Sequence, residues 1–122
     1  MIKLTFCLRR KPGLTWDEFS TYWREVHAPL VKSHATALGV RRYVQLRTLQ
    51  DREQMARMQA RNGGAPEPFD GVAELWFDDQ PVPRSPEGKV GAIALLEDER
   101  RFIDLPGSPM WMSREWEVIS MR

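Results

Sequence analysis

A ferredoxin-like α+β fold, with element order βαββαβ, is predicted for this 122-residue chain by three observations. Four segments rich in apolar and aromatic residues read as strands, with alternation clearest at the start of the chain. Two segments repeat apolar residues every three to four positions behind strong helix-start signals. Each of these helices lies between two of the strands, and a long link separates the two βαβ halves. That order gives a four-stranded antiparallel sheet with both helices on one face.

The first strand is read over Ile2–Arg10, with Ile2, Leu4, Phe6 and Leu8 facing one way. Lys11-Pro12-Gly13 ends it. Thr15-x-x-Glu18 is a capping box, so a helix starts at Trp16. Phe19, Trp23, Val26 and Leu30 form its apolar side, with His27 on or beside that side and His34 two turns further on. Pro29 withholds a backbone donor and biases Ala28 away from helical geometry, so a kink or restart is expected at Ala28. Gly39 is placed to end the helix. Val40–Thr48 is the second strand. Within the link from Gln50 to Phe69, Asp51–Arg61 reads as a short polar helix with Met55 and Met58 on one side. Val72–Phe77 is the third strand.

Pro81, Pro83 and Pro86 shape the next link. Ser85-Pro86 opens the second helix, serine as cap and proline in the first turn. It is read to about Arg101, with Val90, Ile93, Leu95, Leu96 and Phe102 on its apolar side. Glu99 falls at the edge of that side, and Glu97 and Asp98 read as solvated. Trp116–Met121 is taken as the last strand.

Length allows one domain, residues 1–122. Eighteen basic against seventeen acidic residues leave a net charge of +1, which gives no footprint for nucleic acid. The single cysteine, Cys7, rules out an intramolecular disulfide and lies in a strand pattern, as an inert buried thiol does. The N-terminus shows no signal-peptide pattern and no segment has transmembrane length, so a cytoplasmic location is expected. The second sheet face, carrying Cys7, Tyr43 or Trp76 according to register, has nothing in its own chain to cover it. That predicts a homodimer through sheet faces.

No P-loop, dinucleotide fingerprint, G-x-S-x-G element or cysteine set is present, and His27 and His34 lack metal-ligand spacing. Neither a cofactor nor a metal is expected. What remains is His27, among aromatic residues and just before Pro29. It reads either as a structural histidine bonded to a carbonyl or as an acid–base group, since its ordinary pKa lies near neutrality. Glu99 or Asp104 is the carboxylate considered for orienting it.

The segments YWREVHAPLV, DGVAELWF and LLEDERRFIDLPGSP, with the opening MIKLTFCLRRKPGLTWDEF, resemble the EthD family over nearly the whole chain outside Gln50–Pro68. The W-x-x-x-H-A-P and D-E-R-R-F-I-D elements carry the resemblance most specifically. It implies a dimeric α+β barrel with a substrate pocket between sheet and helices. It also implies proton transfer by His27, in a cofactor-independent enzyme of a catabolic or aromatic-polyketide pathway doing dehydration, cyclisation or decarboxylation chemistry. The alternatives are a ligand-binding accessory protein and, following the family label, an oxidoreductase component. On the enzymatic reading Tyr22, Trp23, Tyr43, Trp76 and Phe102 are wall candidates, and Glu99 and Asp104 are polar contacts of a small aromatic or apolar substrate.

Overall fold

The computed structural model describes residues 1–79 and 85–121. Pro81 and Pro83 of the proline-rich link lie outside the described residues. Strand β1 (Ile2–Leu8) leads into helix α1 (Trp16–Tyr22), a π-helical turn (Trp23–His27) and helix α2 (Ala28–Leu38). Strand β2 (Arg42–Arg47), helix α3 (Arg52–Arg61) and strand β3 (Gly71–Phe77) follow. Helix α4 (Pro86–Glu99), a 3₁₀ turn (Leu105–Gly107) and strand β4 (Met110–Arg114) complete the order. The sheet runs β2-β3-β1-β4 with every neighbouring pair antiparallel. This is the α+β architecture expected from the element order.

Pairing register fixes which side chains share a face. Leu4 stands opposite Leu75 and Met112, and Tyr43 also stands opposite Leu75. The helix-facing side therefore carries Leu4, Phe6, Leu8, Ala73, Leu75 and Tyr43. Tyr43 was one candidate for the uncovered face; the register turns it toward the helices. Cys7 and Trp76 do lie on the other face, with Val44, Val72 and Trp111. Cys7 is buried there, and burial pushes its thiol pKa up. The core is a cluster of Phe6, Leu8, Phe19, Trp23, Ala73, Phe102 and Ile103.

The capping box forms as read: Thr15 accepts from the Glu18 N–H, and Glu18 accepts from that of Thr15. The expected restart falls at Ala28, yet Ala28 itself is helical (φ −59°, ψ −46°). The helix absorbs Pro29 by widening one turn. The Ala28 N–H reaches back five residues to the Trp23 carbonyl, which also accepts from Gln45 Nε2 at 2.9 Å. The proline then occupies the first turn of α2, where a missing donor does no harm. Gly39 ends α2 at φ +76°, the left-handed cap a side chain would resist.

Three boundaries or faces differ from the sequence reading. First, α4 turns a different side inward: Val90 and Ile93 are 62% and 59% exposed, while Gly88, Gly91 and Asp98 are buried. A Cβ at Gly88 would stand 2.9 Å from the Ala37 carbonyl oxygen, and one at Gly91 would stand 3.1 Å from the His34 ring. The missing side chains let α4 lie close on α2, and that contact outweighs the apolar stripe. Second, α4 ends at Glu99 rather than near Arg101, and Phe102 enters the core from beyond it. Third, the last strand is Met110–Arg114; Trp116–Met121 has no sheet partner and is exposed. The turn through Pro106 and Pro109 brings the earlier segment to the edge of β1.

The link helix α3 forms behind an Asp51 cap, as its composition indicates. Its root is pinned by Asp70, whose carboxylate accepts from the backbone N–H and guanidinium of Arg10 at 2.7 and 3.0 Å. No described helix is long and apolar enough to cross a membrane.

Removing the cause of the widened turn has a measurable consequence. Pro29→Ala restores a backbone donor and is expected to leave the domain folded, with stability equal or higher by up to about 1 kcal/mol. The His27 ring should move, seen as a change in its NMR-titrated pKa. An unchanged titration would mean that packing of Trp23, rather than the proline, places the ring.

Candidate active site

Helix–helix contact builds the site. The π-helical turn presents His27 toward α4, and the small-residue stripe of α4 presents Asp98 back. His27 Nδ1 lies 2.7 Å from Asp98 Oδ2, and the Tyr22 hydroxyl donates to Asp98 Oδ1 at 2.6 Å. Both side chains of the pair are nearly withdrawn from solvent, 6% and 9% exposed. A carboxylate receiving two donors, one on each oxygen, is well satisfied in a buried place. It fixes the imidazole tautomer: Nδ1 carries the proton and donates it to Asp98, so Nε2 keeps a free lone pair. Phe102 backs the arrangement, its ring centroid 5.0 Å from those of both His27 and Tyr22.

Nε2 faces a cavity of about 480 Å³ between the helices and the sheet. Leu4, Phe6, Val31, Leu75, Ile93 and Met110 supply much of its wall. The polar groups it admits are few. Glu99 Oε2 is 4.0 Å from His27 Nε2. The Tyr43 hydroxyl accepts from Gln45 Nε2 at 2.8 Å, which leaves its own proton available to a ligand. A concave apolar space with a few convergent polar groups is the usual form of a small-molecule site.

Burial sets the protonation states. It lowers the His27 pKa against the opposing pull of Asp98, so the ring is neutral at neutral pH. Burial, with the charge of Asp98 adding to it, pushes Glu99 up to about 7. The Tyr22 and Tyr43 hydroxyls are both raised by burial and stay protonated. A neutral imidazole and a carboxylic acid that keeps its proton up to about pH 7 thus share one apolar chamber. Titratable groups whose pKa values are shifted by burial in a pocket make this a candidate site for proton transfer.

The Glu99 shift carries a stability cost with a definite sign. Its folded pKa is raised from the ordinary 4.5, so the native state prefers the neutral acid. The preference is fully present at low pH and is lost as pH climbs through about 7, a difference of ~3 kcal/mol. Glu99→Gln removes the ionisation, so its stability relative to the native protein should rise between pH 5 and pH 8. Urea unfolding at the two pH values measures this, and an equal difference at both would contradict it.

Of the residues named from sequence, His27, Trp23, Tyr43 and Glu99 line the cavity. Tyr22 and Phe102 stand behind the pair and support it rather than bounding the space. Trp76 lies on the opposite sheet face, under the Arg42 guanidinium at 4.4 Å and donating to Glu115 at 2.6 Å. Asp104 belongs to the turn before β4: its N–H donates to the Arg9 carbonyl and its carbonyl accepts from Ser108 Oγ. Asp98, read as solvated, is the carboxylate that holds His27. The signal that could have found it is the spacing Gly88, Gly91, Leu95, Asp98, a single face of α4 at helical period. Among the described residues no cluster of histidine, cysteine or acidic side chains has the makings of a metal site.

Comparison with known proteins agrees with the fold. Among curated proteins no sequence matches the chain. Solved structures that share the fold include three EthD-like or similarly folded proteins. An ethyl tert-butyl ether D (EthD) family protein from Bacillus halodurans C-125 is 21% identical with a TM-score of 0.58, over 95% of this chain and 99% of that one. HapK from Hahella chejuensis is 11% identical with a TM-score of 0.59, over 100% and 99%. An EthD-like protein from Ralstonia eutropha JMP134 is 18% identical with a TM-score of 0.53, over 99% and 94%. The EthD domain profile matches residues 11–106, a span that runs from the loop after β1 through His27, Asp98 and Glu99 to the turn before β4. That span holds β2, β3, every helix and most of the chain's length, so the chain belongs to the EthD domain family.

Proposed function

We propose that the protein is a cofactor-independent enzyme that moves protons on a small apolar or aromatic substrate, by chemistry of the dehydration, cyclisation or decarboxylation type. The observation that carries this reading is the free Nε2 of a neutral, Asp98-held His27 facing an apolar chamber beside a carboxylic acid. In a dehydration, Nε2 accepts a proton from carbon while the Glu99 acid protonates the departing hydroxyl. A carbon–carbon double bond forms and water leaves. The proton on His27 then returns to Glu99, so atoms and charges balance without a redox partner. Tyr43 donates to a carbonyl or phenol oxygen and orients the ring.

Apolar walls support an apolar substrate, because transferring a hydrocarbon ring from water into this space is favourable at about 25 cal/mol per Å². The test is turnover of hydroxylated aromatic or polyketide-like ketones by native protein against His27→Gln. Consumption by the native protein alone supports the enzyme. Binding of a ligand with no turnover by either would favour the ligand-binding accessory role, and a visible chromophore in the purified protein would favour the oxidoreductase label.

The same proposal includes a homodimer through the second sheet face. Val44, Val72, Leu46 and Trp111 lie on that face, and Leu46 and Trp111 are 45% and 49% exposed. Light scattering at micromolar concentration should give about twice the 14.2 kDa chain mass. A persistent monomer at high concentration would remove this part of the reading.

A further inference from the structure

The inward face of β2 carries a polar side chain where strand alternation calls for an apolar one. Gln45 stands opposite Ala73, on the same side of the strand as Tyr43, and is half-buried. Its amide nitrogen makes two bonds. Nε2 donates to the Trp23 carbonyl at 2.9 Å and to the Tyr43 hydroxyl oxygen at 2.8 Å. The first bond settles how the amide is turned. A backbone carbonyl only accepts, so the NH₂ end of Gln45 must face it. The second hydrogen of the same nitrogen then reaches Tyr43. Tyr43 is thereby the acceptor toward Gln45 and gives its own proton elsewhere.

Tyr43 lines the cavity with His27 and Glu99, and that is where its proton is available. Gln45 is a strut between two walls of this chamber. One end is fixed to the π-helical turn that carries His27, the other to the Tyr43 hydroxyl. A donor placed on a hydroxyl oxygen also strengthens the bond that the hydroxyl makes onward. Burial raises the Tyr43 pKa, while Gln45 and Trp23 pull it the other way, as neighbours that favour charge on that oxygen do.

We propose that Gln45 is a positioning residue that aims the Tyr43 hydroxyl at a ligand carbonyl, so that the chamber selects carbonyl compounds over hydrocarbons of the same shape. Its part in turnover rests on the proton-transfer function; the carbonyl site does not. For a dehydration the substrate is then a β-hydroxy ketone. When Nε2 takes the proton from the α carbon, the C–H electron pair moves toward the carbonyl and leaves negative charge on its oxygen. Tyr43 donates to that oxygen as the charge develops. The pair then returns to form the α,β double bond, the β C–O bond breaks, and the Glu99 proton leaves with the hydroxyl as water. His27 passes its proton to Glu99 and the site is restored.

The test compares 2-acetylnaphthalene with its hydrocarbon counterpart 2-isopropenylnaphthalene, bound to the native full chain and to Gln45→Glu, Gln45→Leu and Tyr43→Phe. A carboxyl at 45 presents an acceptor to Tyr43 and draws its proton out of the cavity. Gln45→Glu and Tyr43→Phe should weaken the ketone at least about fivefold, the worth of one hydrogen bond, and leave the hydrocarbon within about twofold. Gln45→Leu, which frees Tyr43 to rotate, should weaken the ketone by a smaller factor. In the native protein the infrared carbonyl stretch of the bound ketone should lie below its position in hexane, and in Gln45→Glu it should return toward it. Equal weakening of both ligands would make Gln45 structural and overturn the proposal. An unshifted stretch in the native protein, or no binding of the ketone, would overturn it without any variant having to fold. Neither ligand carries a hydroxyl to eliminate, so the outcome is separate from catalysis: ketone-specific losses without turnover of any β-hydroxy ketone would remove the enzyme and keep the carbonyl site.

Discussion

His27→Ala is expected to lower kcat/KM on an accepted substrate by about 10²–10⁴-fold, the usual worth of a positioned acid–base group. Asp98→Asn should lose a similar factor while leaving the ring in place. An asparagine can present its amide N–H to Nδ1, which drives the proton to Nε2 and removes the lone pair that does the chemistry. His27→Gln should lose rate yet keep most ligand affinity, since it retains a polar group in an otherwise apolar wall. His34→Ala should leave the rate close to native, because His34 packs at the α2–α4 crossing and not in the cavity. The pH profile of kcat/KM provides an independent check. Activity should rise as His27 loses its proton, below the ordinary 6.5, and fall as Glu99 loses its own near 7. Glu99→Gln should remove the alkaline limb. Equal rates for native and both His27 variants would leave a binding protein.

The pH argument also explains why two adjacent acids on α4 have different roles. Asp98 faces the end of α1 and the π-helical turn, receives two strong donors and serves as the acceptor of the pair. Glu99, one position on, faces the chamber, makes no comparable bond and is destabilised as an anion by burial and by Asp98. A rotation of about 100° along a helix thus converts one carboxylate into an orienting acceptor and its neighbour into an acid.

The first three strands, the capping box and the restart at Ala28 were legible because each rests on local chemistry: alternation, a side chain bonding its own backbone, a missing N–H. His27 was legible for the same reason, standing one turn after Trp23 and two residues before Pro29. Asp98 was not. Its burial depends on Gly88 and Gly91 admitting α2, a tertiary contact that outweighs the more hydrophobic Val90–Ile93 side. The last strand was misplaced for a related reason. Segments 110–114 and 116–121 are both β-favouring, and only the turn at Leu105–Gly107 decides which of them reaches β1. Trp76 was drawn to the pocket by its aromaticity, whereas strand parity puts it on the far face, two positions from Glu74, which pairs with Lys3.

Trp23→Ala should have the largest effect on stability, about 3–5 kcal/mol. Trp23 is 1% exposed and sits at the start of the π-helical turn, its ring beneath β3 and 5.6 Å from that of Phe19. Gly71 exists for it: a Cβ there would stand 2.5 Å from the indole and 3.0 Å from the Leu46 carbonyl oxygen. Truncating the indole empties a space bounded by backbone on one side and by the core aromatics on the other, where neither can collapse freely. Total stability of such domains is about 5–15 kcal/mol, so the variant stands near the folding threshold, and Trp23→Phe keeps the experiment readable if it crosses. Gly71→Ala attacks the same contact from the opposite side and should cost about 1–3 kcal/mol by overpacking. The two changes should not add. With the indole gone, an alanine at 71 keeps only its approach to the Leu46 carbonyl oxygen, so the double variant Trp23→Ala, Gly71→Ala should be destabilised by less than the sum of the two single changes. Urea unfolding of the four proteins gives the coupling directly, and strict additivity would mean that the indole does not rest on Gly71.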